Sequence, residues 1–344
     1  MHKTSITTLA LLLVACAALS VCATVKADTA CTVTVNNPTN QNLYGNKGIT
    51  SGGYWVGQIP MTITSGSTSF NTLGYCMDFD RIITIGTTYP ATLAPVSDSA
   101  EWRAVSYVLT WNNNPATDND GAAAQVAVWR LLNQTRGTPY YVESWLSPSI
   151  DSAGNAIADQ AWGKDVVRQG DQFRWVSPIT GNMTSIQASP GQNVTFTAKL
   201  TDAAGTPRAN VRVVFNATLN FNTQVTLLNS TYVSTSAAYT DSQGQVQVTV
   251  TVPADAQVGS SVGVEAATQS VWPQQFVDTT DPSIQDLIAM GNTFQLTVST
   301  NMTIYGFITV LPESPLGPIA AVGAFGGGFV VFIKIKQRRA AVKE

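Results

Sequence analysis

The chain has 344 residues, enough for two domains in addition to processing or anchoring segments. Only 11% of the residues are charged and the formal net charge is -3, which excludes the basic stripe by which proteins bind nucleic acid. The single histidine is His2, within a segment that resembles a targeting signal, so the mature chain has none. A Ser-His-Asp triad, a Cys-His pair and a His-ligated zinc site are thereby excluded.

The first 27 residues have the pattern of a secretory signal peptide. Lys3 precedes an apolar run over residues 9–22, and small residues around Ala27 offer a site for signal peptidase. Residues 13–16, with the sequence Leu-Val-Ala-Cys, also resemble a lipoprotein cleavage box that would leave Cys16 acylated. Either cleavage predicts that the rest of the chain is exported.

Residues 28–177 are predicted to form a domain of mixed α and β structure. Within it, residues 31–96 alternate apolar and polar side chains between turn signals, which favours strands. The apolar spacing then changes to that of amphipathic helices. We expect helices at 97–111, at 122–132 with Asp118 or Asp120 as the cap, and at 155–167, followed by a strand at 170–176.

After a linker at residues 178–185, residues 186–310 are predicted to form an all-β sandwich, because short strands recur with turn signals between them. Residues 202–213 and 240–244 resemble the strand and turn pattern of bacterial immunoglobulin-like repeats of the invasin and intimin type. The resemblance covers residues 186–270 and implies a stalk that holds a binding head away from the cell. Residues 278–290 depart from the pattern and are predicted to form a short helical insert.

Residues 311–344 have the pattern of an anchor. An uncharged apolar run at 316–333 is followed by a basic tail, which predicts one transmembrane helix with the preceding chain outside the cell. Together with residues 311–317 (Leu-Pro-Glu-Ser-Pro-Leu-Gly), this arrangement resembles the C-terminal sorting signals of archaeal envelope proteins, with Ser314 where that motif has Phe. The resemblance implies an archaeal surface and leaves open whether the tail is retained. A buried Gly-rich core segment is the alternative.

Asn-X-Ser/Thr triplets recur along the chain and are candidate glycosylation sites in an exported protein. Their chance occurrence in a sequence rich in Thr and Asn is the alternative. The asparagines that begin these triplets are Asn133, Asn182, Asn193, Asn216, Asn229 and Asn301.

Two cysteines, Cys31 and Cys76, follow the predicted signal peptide. An even pair of cysteines in an oxidising compartment usually forms a disulfide bond. Spacing and compartment alone therefore favour a bond between these two residues.

Two motifs suggest a different partner for Cys76. Residues 75–78 (Tyr-Cys-Met-Asp) and residues 125–129 (Gln-Val-Ala-Val-Trp), on a predicted helix, resemble the thioester domain of Gram-positive surface adhesins. The resemblance covers residues 28–177 and implies a covalent bond between Cys76 and Gln125. Many members have Thr before the Gln, where this chain has Ala124, so a hydroxyl able to orient the carboxamide is missing.

The neighbours of this pair have expected roles as well. Aromatic cover from Tyr75, Trp129 and Trp102 is expected to exclude water from the bond. Gln125 and Trp129 are four residues apart and share one face of a helix. With no histidine available, activation of the thiol is assigned to Asp78, Asp80, a helix N-terminus or water. No cofactor and no metal site are predicted.

The leading hypothesis is a cell-surface adhesin whose thioester captures amines, such as Lys side chains or polyamines, on another cell or matrix. The bond reacts once, so the protein is not expected to be an enzyme. The alternative is a passive envelope or S-layer-associated glycoprotein with a Cys31–Cys76 disulfide and only non-covalent binding. An extracellular polysaccharide-acting enzyme using Glu101 and Asp118 is a weaker third hypothesis, because no paired-carboxylate motif is present.

Overall fold

The structure is a computed structural model. It describes residues 29–78, 81, 83–94, 96–112, 114–133, 146–179, 185–219, 223–224, 235–278, 281, 284 and 286–305. The predicted signal peptide, Cys16, Asp80, Asn182, Asn229 and the predicted anchor lie outside these residues. No helix within the described ranges is both long and apolar enough to cross a membrane.

The described residues are mostly β structure with a few helices, which confirms the mixed fold class in its coarse form. The helices are α1 (Gln41–Tyr44), α2 (Ala100–Trp111), α3 (Asp118–Asn133) and α4 (Pro148–Ala161). The strands are β1 (Thr29–Val35), β2 (Gly48–Ser51), β3 (Tyr54–Gly57), β4 (Ile59–Ser65), β5 (Thr68–Cys76), β6 (Thr88–Ala94), β7 (Gln172–Ser177), β8 (Ser185–Ala188), β9 (Asn193–Thr201), β10 (Arg212–Leu219), β11 (Thr223–Gln224), β12 (Thr235–Tyr239), β13 (Gln245–Thr251), β14 (Ser261–Val271), β15 (Gln274–Asp278), β16 (Leu287–Ala289) and β17 (Thr293–Ile304).

A closed antiparallel barrel forms the first unit, with strand order β1-β4-β5-β16-β15-β6. Its strands alternate buried and accessible positions, as in β1, where Cys31, Val33 and Val35 are buried. Side chains from all six strands fill the interior, including Phe276 of β15 and Leu287 of β16. The last two strands are therefore part of the barrel core.

The segment that contributes these last two strands differs from the prediction. A short helical insert was expected at residues 278–290, yet β15 pairs with β6 and β16 pairs with β5. Periodicity cannot distinguish a strand from a helix in apolar runs as short as residues 287–289. The open edges of β5 and β6, which β16 and β15 pair with, exist only in the folded barrel.

A β-sandwich forms the second unit. One sheet has the order β13-β9-β7, and the other has the order β11-β10-β14-β17-β8 with β12 also paired to β10. Their facing side chains, such as Phe196 of β9 and Phe215 of β10, form a separate apolar core. The domain boundaries thus differ from those expected: residues 172–177 belong to the sandwich, while residues 274–289 extend from it into the barrel.

Helices α2, α3 and α4 pack together beside the barrel. Helices α2 and α3 begin close to the predicted positions. In α2, Ser99 accepts a 3.5 Å hydrogen bond from the backbone N–H of Trp102. For α3 the cap is Thr117 instead of Asp118 or Asp120. The Asp120 carboxylate accepts hydrogen bonds from the backbone N–H and the hydroxyl of Thr117, and the hydroxyl accepts one from the Asp120 N–H. This reciprocal arrangement is a capping box.

Helix α4 lies earlier in the chain than the predicted helix at 155–167. Pro148 occupies its first turn, where the fixed φ of proline suits a helix start. Gly163, with φ of 74°, follows its end and takes the left-handed conformation common after a helix.

Strand β14 joins the two units, because it crosses from the sandwich to the helices before the chain enters the barrel. Its last residue, Val271, accepts a 2.7 Å hydrogen bond from Ser106 Oγ and donates a 2.8 Å bond to Thr110 Oγ1, both on α2. At this point Trp272 N–H donates to Asn292 O at 2.9 Å. Beyond that bond the chain forms a hairpin of β15 and β16, here called the barrel hairpin (residues 273–291).

The approach of the barrel hairpin to β5 predicts a strong effect of Gly74→Ala. A methyl group on Gly74 would overlap the backbone oxygen of Ile288 and the end of Met61. We expect a loss of about 1–3 kcal/mol in the free energy of unfolding, the usual effect of overpacking. Thermal or urea unfolding measures it. Thr68→Ala, at the exposed start of the same strand, serves as the control, and an equal effect of both changes would contradict the tight approach.

Candidate functional site

The end of β5 leaves one side of its backbone without a neighbouring strand. Met77 N–H donates to Asp286 O at 3.0 Å, so alternate residues of β5 face β16 and the intervening residues, Gly74 and Cys76, face β4. Strand β4, however, begins at Ile59, which is opposite Gly74. The N–H and C=O of Cys76 therefore point to a place that β4 does not reach.

The side chain of Gln125 occupies that place. Cys76 N–H donates to Gln125 Oε1 at 2.9 Å, and Gln125 Nε2 donates to Cys76 O at 2.9 Å. A side-chain carboxamide thus continues the hydrogen bonding of the strand for one more step. Gln125 is 1% exposed and Cys76 is 6% exposed, so both hydrogen bonds are shielded from water.

Small residues on α3 allow Gln125 to approach this closely. Ala122 and Ala123 lie with Val126 and Trp129 in the apolar cluster that contains Cys76. Gly121 lies against the Lys47 carbonyl, with which a methyl group would overlap. The four small residues at 121–124, directly before Gln125, therefore allow the helix to lie close to the end of β5.

The carboxamide of Gln125 is oriented even though residue 124 is Ala and not Thr. Two hydrogen bonds with the Cys76 backbone fix the plane and the direction of the amide, the role that the family resemblance gives to a Thr hydroxyl. Ala124 itself is fully buried in the cluster formed by the helices, together with Tyr75.

The predicted aromatic neighbours lie on two sides of the pair. Trp129, 5% exposed, packs in the same cluster as Cys76. Tyr75 is 1% exposed and points to the helix side, where Trp102 packs against the same cluster. Burial raises the pKa of the Tyr75 hydroxyl, and a hydrogen bond with Gln58 only partly offsets this effect. The phenol is therefore neutral, and it acts as apolar cover with one polar partner.

The thiol of Cys76 is held in its protonated form. Burial raises its pKa, and the negative charge of Asp78 raises it further. Asp78 is itself buried and forms an ion pair with Arg81, with 3.4 Å between Oδ2 and Nη1. Because the thiolate is the nucleophile, reaction at Cys76 needs a group that accepts the proton.

The alternative disulfide does not fit this fold. Cys31 and Cys76 are both free and buried. Their strands are separated by β4 and lie near its opposite ends. Thr32, next to Cys31, pairs with Thr64, whereas Gly74, two residues before Cys76, pairs with Ile59. Two strand spacings of about 4.8 Å, with that offset added, exceed the roughly 7 Å between Cα atoms that a disulfide permits.

Several residues of the site were missed by the sequence analysis: Gln58, Arg81, Asp286 and Leu287. Gln58 lies just before β4, and Leu287 pairs with Cys76 from more than 200 positions along the chain. No local pattern marks such residues, because their roles depend on strand pairing between distant segments.

Among the described residues, the candidate glycosylation sites and Asp118 lie outside the Cys76–Gln125 site. Asn193 and Asn301 are exposed and Asn216 is partly buried, whereas the side chain of Asn133 lies outside the described residues. Asp118 accepts a 2.8 Å hydrogen bond from Gln41 Nε2 at the start of α3.

Comparison with known proteins finds distant structural similarities. No protein-family model and no curated protein matches the chain. Among solved structures, the chain is similar to the Bacillus anthracis TIE protein, with 14% identity and a TM-score of 0.31 over 80% of this chain and 49% of that chain. It is also similar to the thioester domain of an Enterococcus faecium TIE protein, with 16% identity and a TM-score of 0.30 over 81% of this chain and 98% of that chain.

These structural neighbours are bacterial thioester-domain proteins at low identity. The chain spans about half the length of the Bacillus protein. Because both TM-scores are far below 0.5, the chemistry of this chain has to be inferred from its own contacts.

Proposed function

We propose that the chain is a surface adhesin that captures amines covalently through a thioester between Cys76 and Gln125. The observation that supports this proposal is the pair of 2.9 Å hydrogen bonds by which the Cys76 backbone holds the Gln125 carboxamide. A buried, fixed carboxamide beside a buried thiol needs no cofactor for this chemistry.

Formation of the bond is an acyl transfer within the protein. Side chains of a strand stand perpendicular to the plane of its hydrogen bonds, so the thiol lies beside one face of the carboxamide. The sulfur attacks Cδ of Gln125, the C–N bond breaks, and Nε2 leaves as ammonia with the thiol proton. Escape of ammonia draws the exchange forward.

The Cys76 N–H has a second role in this step. Attack at Cδ places negative charge on Oε1, the atom that accepts the 2.9 Å hydrogen bond from Cys76 N–H. A donor already aimed at this oxygen stabilises the tetrahedral intermediate, and one such donor typically contributes about 3–4 kcal/mol. The same N–H serves when an amine later attacks the thioester carbonyl.

In capture, the leaving group is the sulfur of Cys76 and no longer ammonia. An amine attacks the Gln125 carbonyl, a C–N bond forms, the C–S bond breaks, and the proton from the amine restores the Cys76 thiol. The amine is then held by an amide, and the protein has reacted once. We therefore assign the chain to single-turnover binders and not to enzymes, with Lys side chains or polyamines of another cell or matrix as partners.

Burial protects a thioester from hydrolysis, because water competes with the amine as the nucleophile. Trp129 packs in the Cys76 cluster, while Tyr75 and Trp102 cover the helix side. Excluding water slows hydrolysis. The low exposure of Cys76 and Gln125 also favours slender nucleophiles such as primary amines on flexible chains.

The remaining parts of the proposal derive from the sequence. We assign export to residues 1–27, an immunoglobulin-like stalk to the sandwich, and membrane anchoring at an archaeal surface to residues 311–344. Asn193 and Asn301, both exposed, are the favoured glycan sites among the described residues. No nucleic acid is expected as a partner.

Intact-mass measurement of the secreted chain tests the central claim. We expect a mass lower than that of the sequence by one ammonia, and the addition of one methylamine on incubation with that amine. An unmodified mass with no methylamine uptake would refute the thioester. A loss of two hydrogens would instead support the disulfide-bonded, non-covalent glycoprotein.

A further inference from the structure

An ion-pair cluster lies beside Cys76 and includes a residue from the barrel hairpin. Arg81 Nη1 lies 3.4 Å from Asp78 Oδ2 and 4.0 Å from Asp286 Oδ2. Asp78 follows Cys76 by two residues, whereas Asp286 directly precedes β16. Two carboxylates from distant parts of the chain therefore share one guanidinium next to the reactive thiol.

The backbone of the barrel hairpin holds this cluster in place. Asp286 O accepts the 3.0 Å hydrogen bond from Met77 N–H, and the next residue, Leu287, pairs with Cys76. Asp286 is thus fixed relative to the residues on both sides of Met77. Any change in the position of β16 moves Cys76 and the partner of Arg81 together.

The chemistry of the site requires a proton acceptor, and we assign this role to Asp78, a buried carboxylate two residues after Cys76. The negative charge of Asp78 raises the pKa of the Cys76 thiol, so Asp78 does not act by stabilising a free thiolate. A base in this position accepts the proton as the sulfur attacks. Such a base has to be ionised while buried, and a neighbouring cation favours the ionised form.

We propose that Arg81 and Asp286 are positioning residues that hold Asp78 as the proton acceptor for Cys76, so that the sandwich, through its barrel hairpin, completes the reactive site. This inference rests on the proposed thioester function. In bond formation the thiol proton moves to the Asp78 carboxylate as the C–S bond forms, and Asp78 returns it to Nε2 as the C–N bond breaks. In capture Asp78 accepts the proton of the attacking amine and returns it to the Cys76 sulfur.

The two positioning residues act on Asp78 in sequence, because Arg81 pairs with Asp78 and Asp286 pairs with Arg81. Arg81→Gln removes the charge that holds the Asp78 carboxylate, so methylamine uptake should slow. Asp286→Asn removes the second carboxylate that holds the same guanidinium, so Arg81 is less firmly placed and uptake should slow to a smaller extent. Rescue of the rate by Arg81→Lys, which keeps the positive charge, distinguishes a positioning role from a role in stabilising the fold.

The test is the rate of methylamine uptake by the thioester form, followed by intact mass across a range of pH. The rate of each variant is divided by that of the unaltered chain at the same pH, so the ionisation of methylamine cancels. Asp78→Asn should slow uptake by about 100-fold or more, the usual contribution of a general base. Arg81→Gln should slow it by about tenfold and Asp286→Asn by less, as expected when a reacting group is misplaced, while Arg81→Lys should restore most of the rate at each pH.

Controls and outcomes separate this inference from the thioester itself. Arg174→Gln and Asp255→Asn, both exposed in the sandwich, remove matching charges far from the cluster and should leave the rate unchanged. If the unaltered chain takes up no methylamine, the proposed function fails. If it reacts but Arg81→Gln and Asp286→Asn react as fast as these controls, or Arg81→Lys does not restore the rate, only the role of Arg81 and Asp286 fails.

Discussion

A chain in which Gln125 is replaced with glutamate is expected to keep the full mass of its sequence and to take up no methylamine. Glutamate has the size of glutamine but no amide nitrogen, so no ammonia can leave. Its second oxygen would also face the Cys76 carbonyl in place of the Nε2 donor, which replaces a 2.9 Å hydrogen bond with repulsion. An unpaired buried charge costs about 3–5 kcal/mol, so the variant should also unfold more readily.

Cys76→Ser separates the chemistry from the packing. Both hydrogen bonds to Gln125 involve the backbone of residue 76, so serine preserves them while removing the thiol. The variant should lose no ammonia, and its stability should fall only by the contribution of the covalent link. By analogy with a disulfide that closes a loop, that contribution is about 2–4 kcal/mol.

Intact mass and thermal unfolding measure these effects, with Gln247→Glu as the matched control. Gln247 is exposed on β13, and its replacement should leave both ammonia loss and methylamine uptake unchanged. Treatment of the unaltered chain with methylamine should lower its stability toward that of Cys76→Ser, because capture breaks the link. Ammonia loss in Gln125→Glu would show that another residue supplies the carbonyl.

Removal of the barrel hairpin is expected to abolish the reactive site while sparing the sandwich. The hairpin leaves the sandwich at the Trp272–Asn292 hydrogen bond, directly beyond the paired residues Val271 and Thr293. Joining these strands by a two-residue Asn-Gly turn converts β14 and β17 into an ordinary hairpin. The sandwich core contains no residue from 273–291.

The barrel, in contrast, depends on the hairpin. It loses two of its six strands and the buried side chains of Phe276, Leu287 and Ala289. Strands β5 and β6 become open edges, and water reaches Cys76. The shortened chain should retain the full mass of its sequence, and an alkylating reagent should modify Cys76 and Cys31 without denaturant.

Alkylation followed by mass measurement gives the result. As the control, the unaltered chain, reacted with methylamine to free Cys76, should resist alkylation until it is unfolded, because both cysteines are buried. A shortened chain that still loses ammonia and resists alkylation would show that the barrel closes without β15 and β16. Survival of the sandwich can be followed by hydrogen exchange of the backbone amides of β9 and β13, which pair along their length in the sandwich.

The two local motifs of the site lie next to each other in the folded chain. The helical spacing around Gln125 predicts α3, and the structure places the Gln125 carboxamide on the Cys76 backbone. This agreement has a local cause, since side chains four residues apart share a helix face and the pattern is visible in one short segment. The start of α3 was misplaced by one residue or three, because the cap is Thr117 and not Asp118 or Asp120.

Strand partners were not predictable in the same way. The expected helix at residues 278–290 is half of the barrel hairpin, and the alternative disulfide would join residues that β4 keeps apart. Both interpretations used sound local rules, which describe one segment at a time. A strand is completed by whichever segment pairs with it, and that choice depends on the whole fold.

By itself, the sequence determined the chemistry open to this protein: a chain whose only histidine is His2, with a Tyr-Cys-Met-Asp segment and a carboxamide placed on a helix beside Trp129. Only the tertiary structure decided how that chemistry is arranged. Strand β4 begins at Ile59, opposite Gly74, and does not reach Cys76, so Gln125 forms hydrogen bonds with the Cys76 backbone instead. Strand β16 brings Asp286 to Arg81. The physical reason is that residue types are fixed in the chain, whereas hydrogen-bond partners and buried charges are fixed by contacts between segments far apart in it.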